Sequence, residues 1–478
     1  MKWDVRITSE HWDELYAHLF PGDGAEHGAV LRCGYARTES GVRLLVREVR
    51  KAEDAVDYVE GRIGHRMLKA AFIADQALEF AEDESVYLAV HCHGGTNRVR
   101  FSDVDMASHA RGYPGLLDLI GGPAVGGLVI SPGAAAGDFW AKDGSRGELE
   151  TLTVVGETHT ELTPNPRRVE RADAAYERQA RLFGDRGQAV LRRQTIAIVG
   201  LGGGGSLIAE QIAHLGVGRV ILIDPDRVDE TNLSRLVGSR RSDARPWLTS
   251  PARPRWLRRV GTRLASRKVD VARRVFRTVS RQTEVIVIAE PIESSAAAAA
   301  LLASDHVFLA ADTATARLVV NAVAHQYLVP VTQIGAKVTV DKGSGEVLDV
   351  FAVARLVLPG RNCLWCNGLI SPARLTEEAT SAEQLERQRY VNDDGVHAPS
   401  VISLNSLGAG FAMNQWLMRL VGLSDDASAD WIQVDARTAE VTEDGTRQDS
   451  DCPYCGPTRF ARGDASRLPV RIDSRVTP

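Results

Sequence analysis

Residues 195–235 read TIAIVGLGGGGSLIAEQIAHLGVGRVILIDPDRVDETNLSR and contain the pattern that decides the fold. The β-branched run over residues 195–199 is typical of a buried parallel strand, and glycine occupies positions 200 and 202–205 directly after it. Glycines there allow a tight turn and let backbone N–H groups approach a phosphate at the N-terminus of the next helix. The pattern predicts a nucleotide-binding loop with these candidate residues: Gly200, Gly202, Gly203 and Gly205.

The residues after the glycines predict the rest of a strand–helix–strand unit. A helix is expected over about 206–215 and a second strand over 219–223. Asp224 follows at the carboxyl end of that strand, where proteins of this architecture read a nucleotide ribose.

Length and composition favour a cytoplasmic enzyme of two or more domains. The chain has 478 residues and a net charge of −5, which predicts neither a nucleic-acid nor a membrane partner. The opening sequence MKWDVRITSE lacks the apolar core of a signal peptide. No run approaches the roughly 20 apolar residues of a membrane span.

Residues 1–160 are predicted to form a first α/β domain with a metal site. A strand over 85–91 ends at His91, and two histidines at i and i+2, here His91 and His93, point to the same face. Asp105, a short loop later, can complete a set of three zinc ligands, with Asp103 as the alternative. Glu26 precedes a strand that starts near residue 29 and is the candidate general base. The competing interpretation is a pair of ordinary strand-end histidines.

This set of residues resembles the JAB/MPN (JAMM) metalloprotease family, whose pattern is a distant Glu, His-x-His, then Ser and an Asp three residues later. Here the pattern is Glu26, His91-Cys-His93, Ser102 and Asp105. The resemblance implies that His91, His93 and Asp105 bind a catalytic zinc ion. It also implies that Glu26 is the general base and that Ser102 stabilises the oxyanion.

A linker and lead-in helix are predicted over 161–185, a second domain over 186–460 and a polar tail over 461–478. In the second domain, Asp224 and Asp226 are followed by Asn232 and Arg235, an order that suits a nucleotide whose phosphates are attacked. Lys268 offers a mobile charge for phosphate, and Asp312, after a strand from 306, offers a hard oxygen ligand for Mg²⁺.

From about 172 to 456 the chain resembles the ThiF/MoeB/ubiquitin-activating family of adenylating enzymes. The motifs are Tyr-x-Arg-Gln at 176–179, the glycine loop, Asp-x-Asp-x-Val at 224–228, Asn-Leu-x-Arg at 232–235, Lys268, Asp312 and the late helix start APSVISLNSLG at 398–408.

The resemblance implies a Rossmann-like doubly wound domain that binds ATP and Mg²⁺ and converts a carboxylate into an acyl-adenylate. Asp224 would hold the ribose, and Asp312 would position Mg²⁺. Asn232, Arg235 and Lys268 would contact phosphates, and Arg178 would reach the site across a homodimer. Asp226 is a further candidate contact that could instead cap the turn.

The cysteines predict a structural zinc site in the second domain. Cys363-Leu-Trp-Cys366 and Cys452-Pro-Tyr-Cys455 are two knuckles that can each bind one side of a tetrahedral ion, with a redox pair as the alternative. The remaining Cys33 and Cys92 lie in the first domain. The second domain therefore has no spare thiol, which predicts that the acyl-adenylate passes directly to an external nucleophile and forms no thioester on this chain.

Two further segments are unusual. Between Arg235 and Arg281 there are fifteen Arg or Lys residues and only Asp243 and Asp270 as acids, with three prolines in the middle. This basic segment could dock an acidic partner, close over ATP or bind nucleic acid, or it could be a solvated helix and mobile loop. Residues 372–396 are charged and predict a loop or helix over the site.

Together the motifs predict an adenylating enzyme fused to a zinc peptidase, both acting on the C-terminus of a ubiquitin-like protein. The peptidase would trim a precursor or reverse a conjugate, and a downstream protein would accept the activated group. The alternatives are activation of a sulfur-carrier protein for biosynthesis, a first domain that only binds the ubiquitin-like protein, and, from the fold alone, an oxidoreductase.

Overall fold

The computed structural model describes residues 2–59, 66–341, 343–379, 399–425 and 429–471. The chain divides into two compact units. The first consists of Met1–Val169, His325–Leu328 and Cys455–Arg467, and the second of Glu170–Ala324, Val329–Tyr454 and Leu468–Pro478. The first unit therefore continues to Val169, past the expected boundary at residue 160. It also contains thirteen residues near the chain's end, Cys455–Arg467, which include the start of the tail expected at 461.

The first unit is built on a sheet of eight strands: β1 (Lys2–Thr8), β2 (Gly28–Thr38), β3 (Gly41–Lys51), β4 (Val86–Cys92), β5 (Ala124–Ser131), β6 (Ala134–Ala141), β7 (Arg146–Val155) and β8 (Thr160–Leu162). Their order is β1-β3-β2-β4-β5-β6-β7-β8, and β1 also pairs with β7 in parallel, which closes the sheet on itself. Closure removes the edges that β1 and β7 would otherwise expose.

Alternation along these strands produces two apolar layers, one on each face of the sheet. Helix α1 (Ser9–Leu19) adds Leu15 and Leu19 to the larger layer, where Trp3 stacks on Phe139. Helices α2 (Ala70–Ala81) and α3 (Asp103–Ile120) cover the opposite face.

The second unit contains a mixed sheet: β9 (Thr195–Val199), β10 (Arg219–Ile223), β11 (Glu284–Ile288), β12 (His306–Leu309), β13 (Val331–Val340), β14 (Val347–Val357), β15 (Trp431–Asp435) and β16 (Val441–Glu443). The order is β11-β10-β9-β12-β13-β14-β15-β16, parallel from β11 to β13 and antiparallel beyond. The order reverses between β9 and β12, as in Rossmann-like folds, which bind ligands at such a switch point.

From residue 170 onward the helices are α4 (Glu177–Arg193), α5 (Gly203–Leu215), α6 (Pro246–Thr249), α7 (Arg255–Leu264), α8 (Lys268–Val279), α9 (Ser295–Leu301), α10 (Ala314–Tyr327), α11 (Pro372–Ala379) and α12 (Ile402–Leu420). The sheet core is packed by apolar residues of α5, α8 and α12, such as Ile208, Phe276 and Trp416. The structure confirms the mixed α/β class with a Rossmann-like second unit.

The structure gives the detail of three of the expected segments. The helix after the glycine loop begins at Gly203 and not near Ser206, because Gly202 acts as its N-cap. The lead-in helix α4 consists of two helical pieces that meet at Gly184, whose backbone is not helical (φ 72°, ψ 171°). The basic segment contains helices α6 and α7. Residues 380–396 of the predicted loop or helix at 372–396, and residues 472–478 of the tail, lie outside the described residues.

Among the residues that the structure describes, no helix combines the length and the apolar character needed to cross a membrane.

Candidate functional site

The glycine loop forms a tight cradle between β9 and α5. Gly200 has a φ of 88°, which favours glycine, and a Cβ there would lie 2.6 Å from the backbone nitrogen of Ala311. A Cβ at Gly205 would overlap the carbonyl oxygen of Gly200. The N-cap of α5 is Gly202, so no side chain caps the first N–H groups of this helix. Uncapped N–H groups at a helix N-terminus can bind a phosphate.

Asp224 holds this cradle together from the end of β10. Its Oδ2 accepts a hydrogen bond from Leu201 N at 2.6 Å, and its Oδ1 accepts one from Asp226 N at 2.8 Å. Burial raises the pKa of Asp224, and the charge of Lys268 and the two N–H groups offset only part of that increase. A carboxylate has about four acceptor positions, so these two hydrogen bonds leave about two of them for further donors.

Charged side chains gather beside the cradle. Lys268 is the first residue of α8, and its Nζ lies 2.7 Å from Asp226 Oδ2. The Cδ of Arg235 lies 3.3 Å from the position of a Cβ on Gly203, which places this arginine at the N-terminus of α5. Asn232 is buried in a short 3-10 helix, where its side chain and that of Asp229 cap each other's backbone N–H groups. Asp226 thus forms part of the turn and also pairs with Lys268, a predicted phosphate-binding residue.

The structure adds Asn405, which the sequence did not single out. A Cβ on Gly203 would collide with the amide nitrogen of Asn405, a residue of α12. The amide also donates to Ser400 Oγ at 3.1 Å. The quoted motif at 398–408 contains Asn405, but only the fold shows that α12 approaches the cradle.

The remaining predicted contacts of the nucleotide site are Asp312, which follows a residue packed against Gly200, and Arg178. Asp312 is exposed, three residues beyond β12, whose last residue pairs with the last residue of β9. Arg178 lies at the other end of α5, because its neighbour Gln179 donates to Leu215 O at 3.0 Å and Tyr176 packs on Gly216. Since α5 has 13 residues, this end is about 20 Å from the cradle.

A histidine–carboxylate cluster occupies the first unit where β4 meets the start of α3. The Nε2 atoms of His91 and His93 are 3.2 Å apart. Asp105 Oδ2 lies 3.7 Å from the first and 3.6 Å from the second. Glu26 Oε1 lies 3.8 Å from His93 Nε2. The ligand atoms of these two histidines and Asp105, and not Asp103, are within 4.8 Å of one another, as one metal ion requires.

Neighbouring groups orient this cluster. His93 Nδ1 donates to the carbonyl oxygen of Arg100 at 3.1 Å, which fixes the ring so that Nε2 faces the cluster. Ser102 is the N-cap of α3 and donates its hydroxyl proton to Asp105 Oδ2 at 2.7 Å. Burial raises the pKa of Asp105, but hydrogen bonds from His91 and Ser102 outweigh it and hold the pKa below its usual value. An oxyanion role would require Ser102 to redirect its proton.

A cavity of about 1160 Å³ opens beside His93 and Ser102. Arg98, Arg100 and Arg146 line it together with glycines. Arg146 is bound to the buried Asp138, whose Oδ2 also lies 3.0 Å from Nδ1 of His109. This His109–Asp138–Arg146 cluster has no signal in the sequence, because its members come from α3, β6 and β7.

The sulfur atoms of all four knuckle cysteines, Cys363, Cys366, Cys452 and Cys455, lie within 4.8 Å of one another. Backbone or amide N–H groups of Asn321, Asp449 and Tyr454 donate to three of these sulfur atoms at 3.3–3.5 Å. A tetrahedral thiolate site for zinc fits this arrangement. Cys33 and Cys92 are buried, and burial raises the pKa of both thiols.

The model of the ThiF family matches residues 176–383, a range that includes the glycine loop and Lys268.

Over 60 residues the chain is 43% identical to tRNA threonylcarbamoyladenosine dehydratase of Bacillus subtilis (strain 168), a match that covers 13% of this chain and 24% of the dehydratase. Over 46 residues it is 46% identical to ubiquitin-like modifier-activating enzyme 5 of Caenorhabditis elegans, covering 10% of this chain and 11% of that enzyme. The aligned stretches therefore span about a quarter or less of these relatives. Among solved structures, E. coli MccB with ATP is 19% identical with a TM-score of 0.41, covering 60% of this chain and 75% of MccB.

Proposed function

We propose that the second unit adenylates the C-terminal carboxylate of a small ubiquitin-like or sulfur-carrier protein. The observation that carries this proposal is the convergence of Asp224, Arg235, Lys268 and Asn405 on the uncapped N-terminus of α5. The match of the ThiF family model to residues 176–383 and the similarity to an activating enzyme support an adenylation role.

In the proposed reaction a carboxylate oxygen attacks the α-phosphorus of ATP, the bond to the bridging oxygen breaks, and pyrophosphate leaves with that electron pair. Asp224 holds the ribose hydroxyls through its remaining lone pairs, while Asn232, Arg235 and Lys268 contact the phosphates. Because Lys268 pairs with Asp226, its ammonium is held near the cradle before ATP arrives. Mg²⁺, when bound at Asp312, supplies charge neutralisation of the phosphates.

ATP–pyrophosphate exchange tests this proposal. The wild-type chain should exchange labelled pyrophosphate when mixed with ATP, Mg²⁺ and one of three proteins ending in Gly-Gly: ubiquitin and two bacterial sulfur carriers. Lys268→Met should reduce exchange at least about 100-fold, because a charge that stabilises transferring phosphates is lost. Lys142→Met is the matched control, since Lys142 only caps the carbonyl of Gly121. Absence of exchange with all three proteins would reject the proposal.

A second candidate activity for the first unit is zinc-dependent cleavage of a peptide or isopeptide bond at the same C-terminus. The close approach of His91, His93 and Asp105 supports it, together with Glu26 at 3.8 Å from His93. Zinc, when bound, supplies Lewis-acid activation of water and of the scissile carbonyl. Glu26 would take a proton from the attacking water and return it to the leaving amine.

Cleavage of the same three carriers, each extended by a short C-terminal peptide, tests the second activity. Glu26→Gln should abolish cleavage without loss of zinc, whereas Glu150→Gln, which breaks only an exposed ion pair with Lys2, should not change it. Cleavage unchanged in Glu26→Gln would exclude the peptidase. The zinc content of a Cys452→Ser variant separates a third possibility. If this variant contains no zinc, the histidine site of the first unit is empty, which favours the alternative that the first unit only binds the carrier.

We further propose that no thioester forms on this chain. The two cysteines outside the knuckles, Cys33 and Cys92, are buried, and their raised pKa values make them poor nucleophiles. The activated carrier would pass to a thiol, sulfur donor or amine of an acceptor protein. The identity of that acceptor distinguishes protein tagging from sulfur transfer. The oxidoreductase alternative predicts NAD binding and is excluded if only ATP binds.

A further inference from the structure

The basic segment contains a helical hairpin that the proposed reaction does not use. We define the arginine hairpin as residues 245–264, which include α6 and α7. The backbone N–H of Ser266 donates to the carbonyl oxygen of Asp243 at 2.9 Å, so the two ends of the hairpin meet. Lys268 N also donates to Asp226 O at 3.0 Å. The hairpin is therefore attached directly beside residues of the proposed ATP site.

Positive charge dominates this part of the surface. Residues 240–264 contain six exposed arginines: Arg240, Arg241, Arg253, Arg255, Arg259 and Arg263. The single acidic residue in this range, Asp243, is buried and bound to Arg274 at 2.7 Å. The exposed arginines therefore have no exposed carboxylate within their own segment, and an acidic partner would complement them.

An apolar stripe runs along α7 between these charges. Trp256, Val260 and Leu264 are 67%, 40% and 57% exposed and are spaced four residues apart, so they share one face of the helix. Gly261, about 100° around the helix from Val260, packs on Leu248 of α6 and is buried.

Arginines and a second tryptophan border the stripe. Arg259 and Arg263 follow Trp256 and Val260 by three residues and therefore lie beside the stripe. Trp247, on α6, is also 62% exposed.

We propose that the arginine hairpin docks the folded body of the carrier protein, through a surface of that protein that has an apolar patch bordered by carboxylates. This inference rests on the proposed adenylation of a carrier. Tryptophan and arginine are the residues that most often supply binding energy at protein interfaces, and i, i+4, i+8 anchors are how a helix face binds a protein groove.

Other polyanions fit the hairpin less well. Nucleic acid would stack on the tryptophans and pair with the arginines, but it would leave Val260 and Leu264 exposed to water. An anionic membrane would need a larger apolar face than three side chains on a ten-residue helix. A protein surface uses both the charges and the stripe.

The test compares two substrates in ATP–pyrophosphate exchange. One is the Gly-Gly carrier that supports exchange by the wild-type chain, and the other is a synthetic peptide of its last ten or so residues. Arg259→Glu/Arg263→Glu and Trp256→Ser/Leu264→Ser should each raise KM for the whole carrier at least about 10-fold with little change in kcat. KM for the peptide and for ATP should stay at wild-type values, because neither contacts the hairpin.

The control is Arg277→Glu/Arg281→Glu, which makes the same charge change at exposed arginines outside the hairpin. It should leave KM for the carrier unchanged. Equal KM values for the carrier in all variants would overturn the docking inference while leaving adenylation intact, whereas absence of exchange with either substrate would reject both.

Fluorescence anisotropy with a labelled 20-nucleotide RNA and flotation with phosphatidylserine vesicles complete the test. Hairpin-dependent binding to either probe, without a change in carrier KM, would assign the hairpin to that probe instead.

Discussion

At the level of single residues, Asp138 couples the stability of the first unit to pH. Its carboxylate is buried, which raises its pKa, but hydrogen bonds from His109, Arg146 and Trp140 outweigh burial and lower the pKa from 3.8 to about 2. A lowered pKa means that the ionised form stabilises the fold above pH 4 and that this contribution disappears as the pH falls through about 2.

Asp138→Asn should therefore reduce the free energy of unfolding by about 2 kcal/mol at pH 7, with a difference that shrinks below pH 4. Urea unfolding followed by tryptophan fluorescence at several pH values measures this. Asp118→Asn, on an exposed part of α3, is the control and should show no such pH dependence. The same loss at pH 7 and pH 2.5 would show that the ion pair is not the cause.

A substitution at Gly205 tests the tight turn of the glycine loop at the level of a single residue. A side-chain carbon at Gly205 would overlap the carbonyl oxygen of Gly200, and backbone cannot move aside as a flexible side chain can. Gly205→Ala should cost about 2 kcal/mol or more and abolish ATP binding. Gly202→Ala is the matched control for stability, since no atom lies within 4 Å of its Cβ position. Thermal unfolding that is equal in both variants would contradict the tight turn.

At the level of elements, the sequence predicted those positions that depend on strand ends. His91, His93 and Asp224 lie at or just after the ends of short apolar strands. The position of a strand end can be read from the local sequence, so these residues can be placed without information about distant contacts. Asp105 was chosen over Asp103 from its spacing of three residues after Ser102, and the structure shows that Ser102 is the N-cap of α3.

Contacts between segments far apart in sequence were not predictable. Asn405 reaches Gly203 only because α12 packs beside α5, and Glu378 accepts hydrogen bonds from the backbone N–H groups of Ala314 and Thr315 at 2.8 Å. The pairing of β1 with β7 likewise joins segments that carry no local signal. The basic segment was ambiguous because its prolines suggested a loop, whereas Pro246 lies at the first position of α6.

The arginine hairpin should be removable as an element. Because Ser266 bonds to Asp243 through both its backbone N–H and its hydroxyl, the chain can close across the hairpin without moving either end. Replacing residues 245–264 by three glycines should change the free energy of unfolding by no more than about 1 kcal/mol. Thermal unfolding and exchange with the ten-residue peptide should both remain near wild type. An insoluble or unfolded product would show that the hairpin belongs to the core of the second unit.

At the level of the whole molecule, the position of Arg178 requires an explanation. It lies about 20 Å from the glycine cradle of its own chain, at the far end of α5. If Arg178 contacts ATP, as its position in the Tyr-x-Arg-Gln motif implies, it must do so in a second copy of the chain. In a two-fold symmetric dimer, each site would then combine Lys268 of one chain with Arg178 of the other.

Mixing two inactive variants tests this arrangement. Arg178→Ala and Lys268→Ala should each lose exchange activity, but half of the dimers formed after random mixing contain one of each chain. Each such dimer has one intact site, so the mixture should recover about a quarter of the wild-type activity. Refolding or co-expression of differently tagged chains, followed by isolation of the doubly tagged dimer, should raise recovery to about half, because every dimer then has one intact site of two. Activity that stays at the level of the separate variants would mean either that Arg178 is not part of the ATP site or that the active chain is not a dimer. Size-exclusion chromatography with light scattering would distinguish these two explanations.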